Sequence, residues 1–247
     1  ELHHMFYGAD QMLDNGWSAT PNISDFNAGG STESTTSESN NDSISESGGN
    51  GTSSFYEFTS RSALITAVDL WISNEASATN TYGDINTWDV SEITDFSSLF
   101  RDKTTFNSDI GNWDVSSGTN FGRMFQDSEG FNQDIGDWDV SKGTDFSLMF
   151  SDAKAFNQDI GDWDVSKGTD FRHMFMGAEI FNQDIGAWDV SNGTDFGYMF
   201  SFASEFNKDL GSWDVGKGLS FECMFADAIS FNQDIGDWDV SSGTNLE

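Results

Sequence analysis

A tryptophan that recurs every 25 residues constrains the fold of this chain more than any other feature. Phenylalanine follows the same interval at three further places in the sequence. A repeat of fixed length indicates an array in which each unit buries its apolar face against its neighbours. The repeating tryptophans are Trp88, Trp113, Trp138, Trp163, Trp188, Trp213 and Trp238. Residues 83–247 are therefore predicted to form one array, with these aromatic residues in its core.

Each unit is numbered here from position 1 to position 25, starting at Ile85, Ile110, Ile135, Ile160, Ile185, Leu210 and Ile235. Apolar residues at positions 1, 4 and 6 predict a short parallel β-strand, so the array would contain seven strands. Apolar residues at positions 12, 15, 16, 19 and 22 have the spacing of a short helical turn. The expected fold class is a repeat solenoid in which every unit contributes one strand and one helical turn.

The unit motif W-D-V-S-x-x-T-x-F-x-x-M-F-x-x-A-x-x-F-N-x-D-I resembles the BspA-like leucine-rich repeat, the type found in arrays on bacterial surface proteins. The resemblance covers residues 83–247. It implies a leucine-rich-repeat-like solenoid that is secreted or attached to a cell surface. Adhesion or partner binding is the function that it implies, without catalytic residues.

The residues before the array divide into three segments. Residues 61–73 place six apolar side chains on one helical stripe, with Thr59 or Ser60 as a possible N-cap. We therefore predict an N-terminal helical cap over residues 55–82, the alternative being a helix of a separate small domain. Residues 18–54 have the composition of a low-complexity Ser/Gly/Asn/Glu linker. Residues 1–17 match part of the repeat, which predicts a partial repeat from a preceding array, the alternative being one array interrupted by an insertion.

The charge of the chain limits its partners. Asp and Glu number 42 against 10 Lys and Arg, which gives a formal net charge of -32. Such a surface repels nucleic acid and anionic lipid, so neither is an expected partner. No segment is apolar for long enough to predict insertion into a membrane. Cationic groups and divalent cations are the partners that this charge favours.

The acidic side chains are concentrated in two columns, a column being one position followed through successive units. The outer Asp column, at position 5, is expected on the strand face that leucine-rich repeats use for binding. Together with the Ser at position 7, it predicts a binding face formed by Asp89, Asp114, Asp139, Asp164, Asp189, Asp214, Asp239, Ser116, Ser141, Ser166 and Ser191.

Carboxylates stacked at strand spacing repel one another, so the outer Asp column needs compensation. Hydrogen bonds from Ser or Thr hydroxyls or from turn amides would supply it, as would calcium, and partial protonation is a third alternative. A second column, the corner Asp column at position 25, precedes each unit. Together with the Asp residues at position 3 of two units, the two columns predict candidate calcium ligands at Asp134, Asp137, Asp139, Asp159, Asp162 and Asp164. No cofactor is expected, with calcium as the one alternative.

The polar column at position 23, which starts at Asn107, is expected to satisfy backbone groups of the turns through its side-chain amides. Regular repetition does not bring unlike catalytic groups together, so an enzyme is not expected. The sequence instead predicts an extracellular or cell-surface protein that binds a protein or glycan partner through its acidic face. The alternative is a structural or mineral-associated calcium-binding protein that assembles end to end.

Overall fold

The computed structural model describes residues 55–245. The segments predicted as a partial repeat (1–17) and a linker (18–54) lie outside the described residues. Two helices precede the array, α1 over Arg61–Ser73 and α2 over Glu75–Tyr82, and a short 3-10 helix follows at Ile85–Thr87. The helix predicted over residues 61–73 is therefore confirmed.

Helix α1 begins and packs for reasons that its sequence contains. The Ser60 hydroxyl accepts a hydrogen bond from the Ala63 N–H at 3.3 Å, so Ser60 is the N-cap. The apolar stripe buries Leu64, Ala67, Val68 and Trp71. Asn74 separates the two helices, because its side chain accepts from the Ser77 N–H and starts α2.

Several contacts hold α1 against the first unit of the array. The Trp71 indole N–H donates to the Ser108 hydroxyl at 2.9 Å, and the Lys103 ammonium lies 2.7 Å from the Asp69 carboxylate. The Arg61 guanidinium contacts Asp95 and the Ser97 carbonyl. Helix α1 therefore covers apolar surface of the first unit.

The fold class expected from the sequence is wrong. Residues 55–245 contain no β-strand, and the units contain no helical turn beyond the 3-10 helix of the first one. Isolated parallel bridges, each a single residue pair, join Glu57 to the first unit and each unit to the next. These bridges are Glu57–Asp89, Asp95–Asn120, Asn120–Asp145, Asp145–Asp170, Asp170–Asp195, Asp195–Ser220 and Ser220–Asn245.

The expected strand at positions 1–6 fails because its backbone turns twice. In one unit the Trp163 N–H donates to the Ile160 carbonyl, and the Gly168 N–H donates to the Val165 carbonyl. Gly168 sits so close to the Phe171 ring that a Cβ would lie 2.3 Å from its Cζ, which explains a glycine in this turn. The apolar residues at positions 1, 4 and 6 are therefore buried in a turn. The spacing of apolar residues does not by itself distinguish such a turn from a strand.

The expected helical turn at positions 12–22 is also replaced by another arrangement. Backbone N–H groups there alternate between a local turn and the next unit. Phe121, Arg123 and Phe125 donate to the carbonyls of residues 145, 147 and 149 at 2.8–2.9 Å. The intervening N–H groups, such as that of Met124, donate three residues back along the chain. Each unit is therefore a coil of turns, hydrogen-bonded to its neighbour in constant register.

The core consists of aromatic columns, as the sequence predicts. Phe100 and Phe125 have ring centroids 5.4 Å apart and planes 4° from parallel, and Trp188 and Trp213 stack at 6.5 Å and 3°. Every tryptophan of the array is buried, and its indole N–H finds a backbone carbonyl. In the Trp163 example that carbonyl belongs to Ile135, in the preceding unit. The tryptophans therefore join successive units by hydrogen bonds as well as by stacking.

Candidate functional site

The outer Asp column lies on the surface, where the sequence places it. Asp89 is half-buried and the other six members are exposed. In every unit one carboxylate oxygen accepts the backbone N–H two residues later, at 3.0–3.1 Å. The bonds join Asp89 to Ser91, Asp114 to Ser116, Asp139 to Ser141, Asp164 to Ser166, Asp189 to Ser191, Asp214 to Gly216 and Asp239 to Ser241. Each aspartate therefore closes its own turn.

These bonds are the hydrogen-bond compensation that the sequence left as one of three alternatives. The Ser91 hydroxyl also donates to Asp89, at 2.7 Å. Hydrogen bonds from the following serine, first from its hydroxyl and then from its N–H, lower the pKa of Asp139, Asp189 and Asp239 below the ordinary aspartate value. The exposed carboxylates of these three units are therefore held in the charged form.

The expected serine partners, Ser116, Ser141, Ser166 and Ser191, are half-buried. Each offers its backbone N–H to the preceding aspartate, so their first role is in the turn. The backbone bond engages Oδ1 of each carboxylate from Asp114 to Asp214, and these side chains are exposed. The outer Asp column thus presents one oriented, solvent-exposed carboxylate in each of these units.

The corner Asp column forms the same kind of turn. Asp134 accepts from the Gly136 N–H and Asp159 accepts from the Gly161 N–H, both at 3.0 Å. The side chains of the candidate calcium ligands Asp134, Asp137, Asp139, Asp159, Asp162 and Asp164 are all exposed. Within the described part of the chain, no three His, Cys, Asp or Glu side chains come together as a group that could hold a metal ion. Calcium binding therefore stays a prediction.

A third column of this kind escaped the sequence analysis. The bridge column, at position 11, consists of Asp95, Asn120, Asp145, Asp170, Asp195, Ser220 and Asn245, the residues that form the bridges between units. Its first five members accept the N–H two residues later at 2.9–3.1 Å. The restriction of this position to Asp, Asn and Ser, which favour such turns, is the signal that could have revealed it.

The bridge column is half-buried, and burial changes the pKa of one of its members, Asp170. Burial raises the pKa of Asp170, and the carboxylates of Asp145 and Asp195 in the adjacent units raise it further, against hydrogen bonding and charge from Arg172. Burial likewise raises the pKa of Asp127 and Asp152, which share position 18. The chain thus contains aspartates shifted in both directions.

The asparagine column at position 23 behaves as predicted. The Asn132 N–H donates to the Asn107 side-chain oxygen at 2.9 Å, and the Asn157 N–H donates to that of Asn132 at the same distance. The pattern continues through Asn182, Asn207 and Asn232. Each side-chain amide therefore satisfies a backbone donor of the following unit.

A further column, at position 14, has an unusual backbone, which the residues at position 18 share. We call it the left-handed column, because all of its residues have φ between 47° and 60°. A left-handed conformation costs a residue with a Cβ roughly 1–2 kcal/mol, and glycine or asparagine usually occupies it. This column contains neither. Its members are Ser98, Arg123, Leu148, His173, Tyr198 and Cys223.

Units of equal length that exchange backbone hydrogen bonds and stacked rings define this molecule as a repeat protein. A family model described as "Mycoplasma protein of unknown function, DUF285" matches residues 71–179 and 159–247. The chain belongs to this family. The assignment to the BspA-like leucine-rich repeats, made from the W-D-V-S…M-F motif, is therefore wrong, because the matching family is DUF285 and the unit lacks the strand of a leucine-rich repeat.

No curated protein and no solved structure matches the chain significantly. Neither helix within residues 55–245 has both the length and the apolar character needed to cross a membrane.

Proposed function

We propose that this repeat array is a non-catalytic binding module whose outer Asp column holds a cationic protein partner outside the cell or on its surface. The proposal rests on the exposed carboxylate that each unit presents from Asp114 to Asp214. The turn bond fixes one oxygen of each carboxylate, so the charged groups are oriented before a partner arrives. Pre-organised groups lose less conformational freedom on binding, and complementary charge raises the rate of association.

Charge balance supports a cationic partner over an anionic or neutral one. Of the ten basic residues, three lysines, Lys142, Lys167 and Lys217, lie three positions after an aspartate of the outer column. They offset only part of its charge, since the column has seven members. Clustered Lys or Arg side chains on a partner would neutralise the remainder, and such binding weakens as salt screens the charges.

Asparagine substitution provides a direct test, because Asn120 already forms the same turn in the bridge column. The variant D114N/D139N/D164N/D189N should keep its fold and lose four charges. Its affinity for a fluorescent oligolysine, measured by anisotropy at low salt, should fall by at least about tenfold, a loss of roughly 1.4 kcal/mol in binding free energy.

The matched control is E75Q/E129Q/E179Q/E205Q, which removes four exposed charges away from the column. The control should bind oligolysine nearly as well as the unmodified chain. Equal losses in the two variants would show that only the net charge matters, and the proposed site would be abandoned.

A calcium titration of the same two variants tests the alternative that the sequence predicts. If the Asp columns bind calcium, the melting temperature of the unmodified chain should rise with calcium and not with magnesium. The rise should be absent from the asparagine variant. Light scattering with and without calcium tests the predicted end-to-end assembly in the same samples.

A further inference from the structure

Positions 17–21 of three consecutive units expose large apolar side chains. Ile180, Phe202 and Ile229 are 45%, 52% and 82% exposed. They are three of the four large apolar side chains that the described part of the array leaves exposed, Leu219 being the other. We call residues 176–180, 201–205 and 226–230 the apolar ridge. Exposed apolar side chains that are grouped, unlike scattered ones, mark a surface that a partner can cover.

Backbone hydrogen bonds join the three units along the apolar ridge. The Glu205 N–H donates to the Glu179 carbonyl at 3.1 Å, and the Phe202 N–H donates to the Ala226 carbonyl at 2.7 Å. Position 19 is a buried alanine in each of these units, as Ala178, Ala203 and Ala228. The exposed residues on either side of that alanine therefore lie on one continuous surface.

The apolar ridge also carries negative charge that the chain does not balance. Its charged residues are Glu179, Glu205 and Asp227, and it contains no Lys or Arg. None of these three carboxylates forms an ion pair with a residue in the range 55–245. A cationic group that balances them would therefore come from a partner.

The same positions of the first three units show the opposite arrangement. They expose no large apolar side chain, and they contain three basic residues. The Lys154 ammonium lies 3.0 Å from the Glu129 carboxylate, and the Arg101 guanidinium lies 3.5 Å from that of Asp102. Glu129 and Asp102 thus have basic partners within the chain. Exposed apolar side chains and unpaired carboxylates therefore coincide in the apolar ridge.

We infer that the apolar ridge is a docking surface for an amphipathic helix of a partner protein, with apolar side chains on one face and Lys or Arg beside them. Apolar anchors within a polar rim are the usual composition of a protein interface. A second copy of this chain would bring its own net charge of -32, and an anionic lipid surface would also be repelled. Charge complementarity therefore selects a basic partner.

The length of the apolar ridge suits a helix. Ile180 and Ile229 are two units apart, which is about 10 Å along the stack at the spacing of paired backbones. Residues i and i+7 of a helix are separated by about 10.5 Å along its axis, and residue i+3 or i+4 lies between them on the same face. Three apolar residues of one helical face can thus contact Ile180, Phe202 and Ile229 in order.

Two labelled synthetic peptides of identical composition test the inference by fluorescence anisotropy. The patterned peptide has leucines on one helical face and lysines elsewhere, and the scrambled peptide has the same leucines distributed around the helix. The unmodified chain should bind the patterned peptide at least about tenfold more tightly, a preference that net charge alone does not produce. Equal affinity for the two peptides would overturn the inference.

Phe202→Asp separates apolar contact from charge at the centre of the ridge. It removes the aromatic ring, adds a negative charge and introduces the residue that four of the other five complete units have at position 18. Affinity for the patterned peptide should fall by about tenfold, because apolar contact is lost. Oligolysine should bind the variant at least as tightly as the unmodified chain. Tighter binding of the patterned peptide would show that charge alone holds it and would overturn the inference.

Leu219→Thr is the matched control, because it removes an exposed apolar side chain outside the ridge and introduces the residue that the other six units have at position 10. It should leave the preference for the patterned peptide unchanged. The variant I180T/F202D/I229T should lose that preference and melt close to the temperature of the unmodified chain. A clearly lower melting temperature would assign these side chains to the fold and overturn the inference.

The asparagine variant of the outer Asp column distinguishes this surface from the proposed function, since the two share no residue. D114N/D139N/D164N/D189N should bind both peptides more weakly and keep its preference for the patterned one. Loss of that preference would place the patterned peptide on the outer Asp column and overturn the inference. Undiminished affinity of this variant for oligolysine would count against the proposed function alone.

Discussion

Asp139 of the outer Asp column and Asp170 of the bridge column close the same kind of turn, yet their pKa values shift in opposite directions. Asp139 and Asp170 each accept the N–H two residues later, at 3.0 and 3.1 Å. Asp139 is exposed and has a lowered pKa, whereas Asp170 is half-buried and has a raised one. Burial and neighbouring carboxylates, more than turn geometry, therefore decide whether the charged aspartate favours the folded state.

This difference separates two roles of the acidic residues. In the bridge column the side chain accepts the N–H that closes a turn. Burial of its charge at Asp170 disfavours the folded state. Asn120 in that column shows that an uncharged residue serves the turn. In the outer column all seven residues are Asp, although Asn could also close the turn. The retained charge there is what the proposed function uses.

Loss of the turn acceptor should produce the largest difference between the two columns. Asp145→Ala removes the acceptor of both the Ser147 N–H at 2.9 Å and the Ser147 hydroxyl at 2.6 Å, and Ser147 is only 2% exposed. Buried donors left unpaired should lower the free energy of unfolding by about 1–3 kcal/mol. Asp139→Ala should cost roughly 0.5–1.5 kcal/mol, because water reaches Ser141. Urea denaturation measures both, and equal losses would contradict the comparison.

Removal of charge alone should have a smaller effect, of opposite sign in the two columns. Asp170→Asn keeps the acceptor and relieves a half-buried charge, so it should raise the free energy of unfolding. Asp139→Asn keeps the acceptor and loses a favourable charged hydrogen bond, so it should lower it. Each change should be within about 0.5 kcal/mol. Urea denaturation curves of the two variants in one buffer resolve such differences. Changes of the same sign would contradict the claim that charge has opposite effects on stability at Asp139 and Asp170.

The dependence of stability on pH should show the exposed and the half-buried aspartates at once. Asp127, Asp152 and Asp170 have raised pKa values, so the folded state takes up protons before the unfolded chain and gains stability as pH falls towards the ordinary aspartate value. Asp139, Asp189 and Asp239 have lowered values, so their contribution is present above the ordinary value and is lost below it.

The melting temperature should therefore reach a maximum at mildly acidic pH, just above the ordinary aspartate pKa, and fall on further acidification. The variant D127N/D152N/D170N should lose the rise between neutral and mildly acidic pH and retain the fall. A rise of the same size in this variant would assign the effect to relief of the overall negative charge.

The sequence predicted the parts of the fold that depend on repetition or on local signals. The interval between tryptophans identified the array and its core, and the apolar stripe from Ala63 to Ile72 identified α1. It failed on the backbone of the unit, because the apolar spacing of Ile160, Trp163 and Val165 suits a buried turn as well as a strand. The alternation of local and inter-unit bonds near Arg123 follows from stacking, which no single unit encodes.

The sequence predicted where the residues of the candidate site lie better than it predicted their hydrogen bonds and charges. The exposed placement of Asp114 through Asp239 followed from the repeat, and hydrogen bonding to the turn was one of the alternatives considered. The bridge column was missed because its mixture of Asp, Asn and Ser resembles ordinary surface variation. The left-handed column was missed because positive φ depends on the backbone, and residues such as Leu148 and Tyr198 give no sign of it.

Carboxyl-carbon NMR titration of the aspartates tests the central claim most directly, because it reads each pKa in the folded chain. We expect the pKa values of Asp139, Asp189 and Asp239 to lie below the ordinary aspartate pKa, and those of Asp127, Asp152 and Asp170 to lie above it. Overlapping values for the two groups, or the reverse order, would contradict the claim that burial decides the direction in which the pKa of an aspartate shifts in this chain.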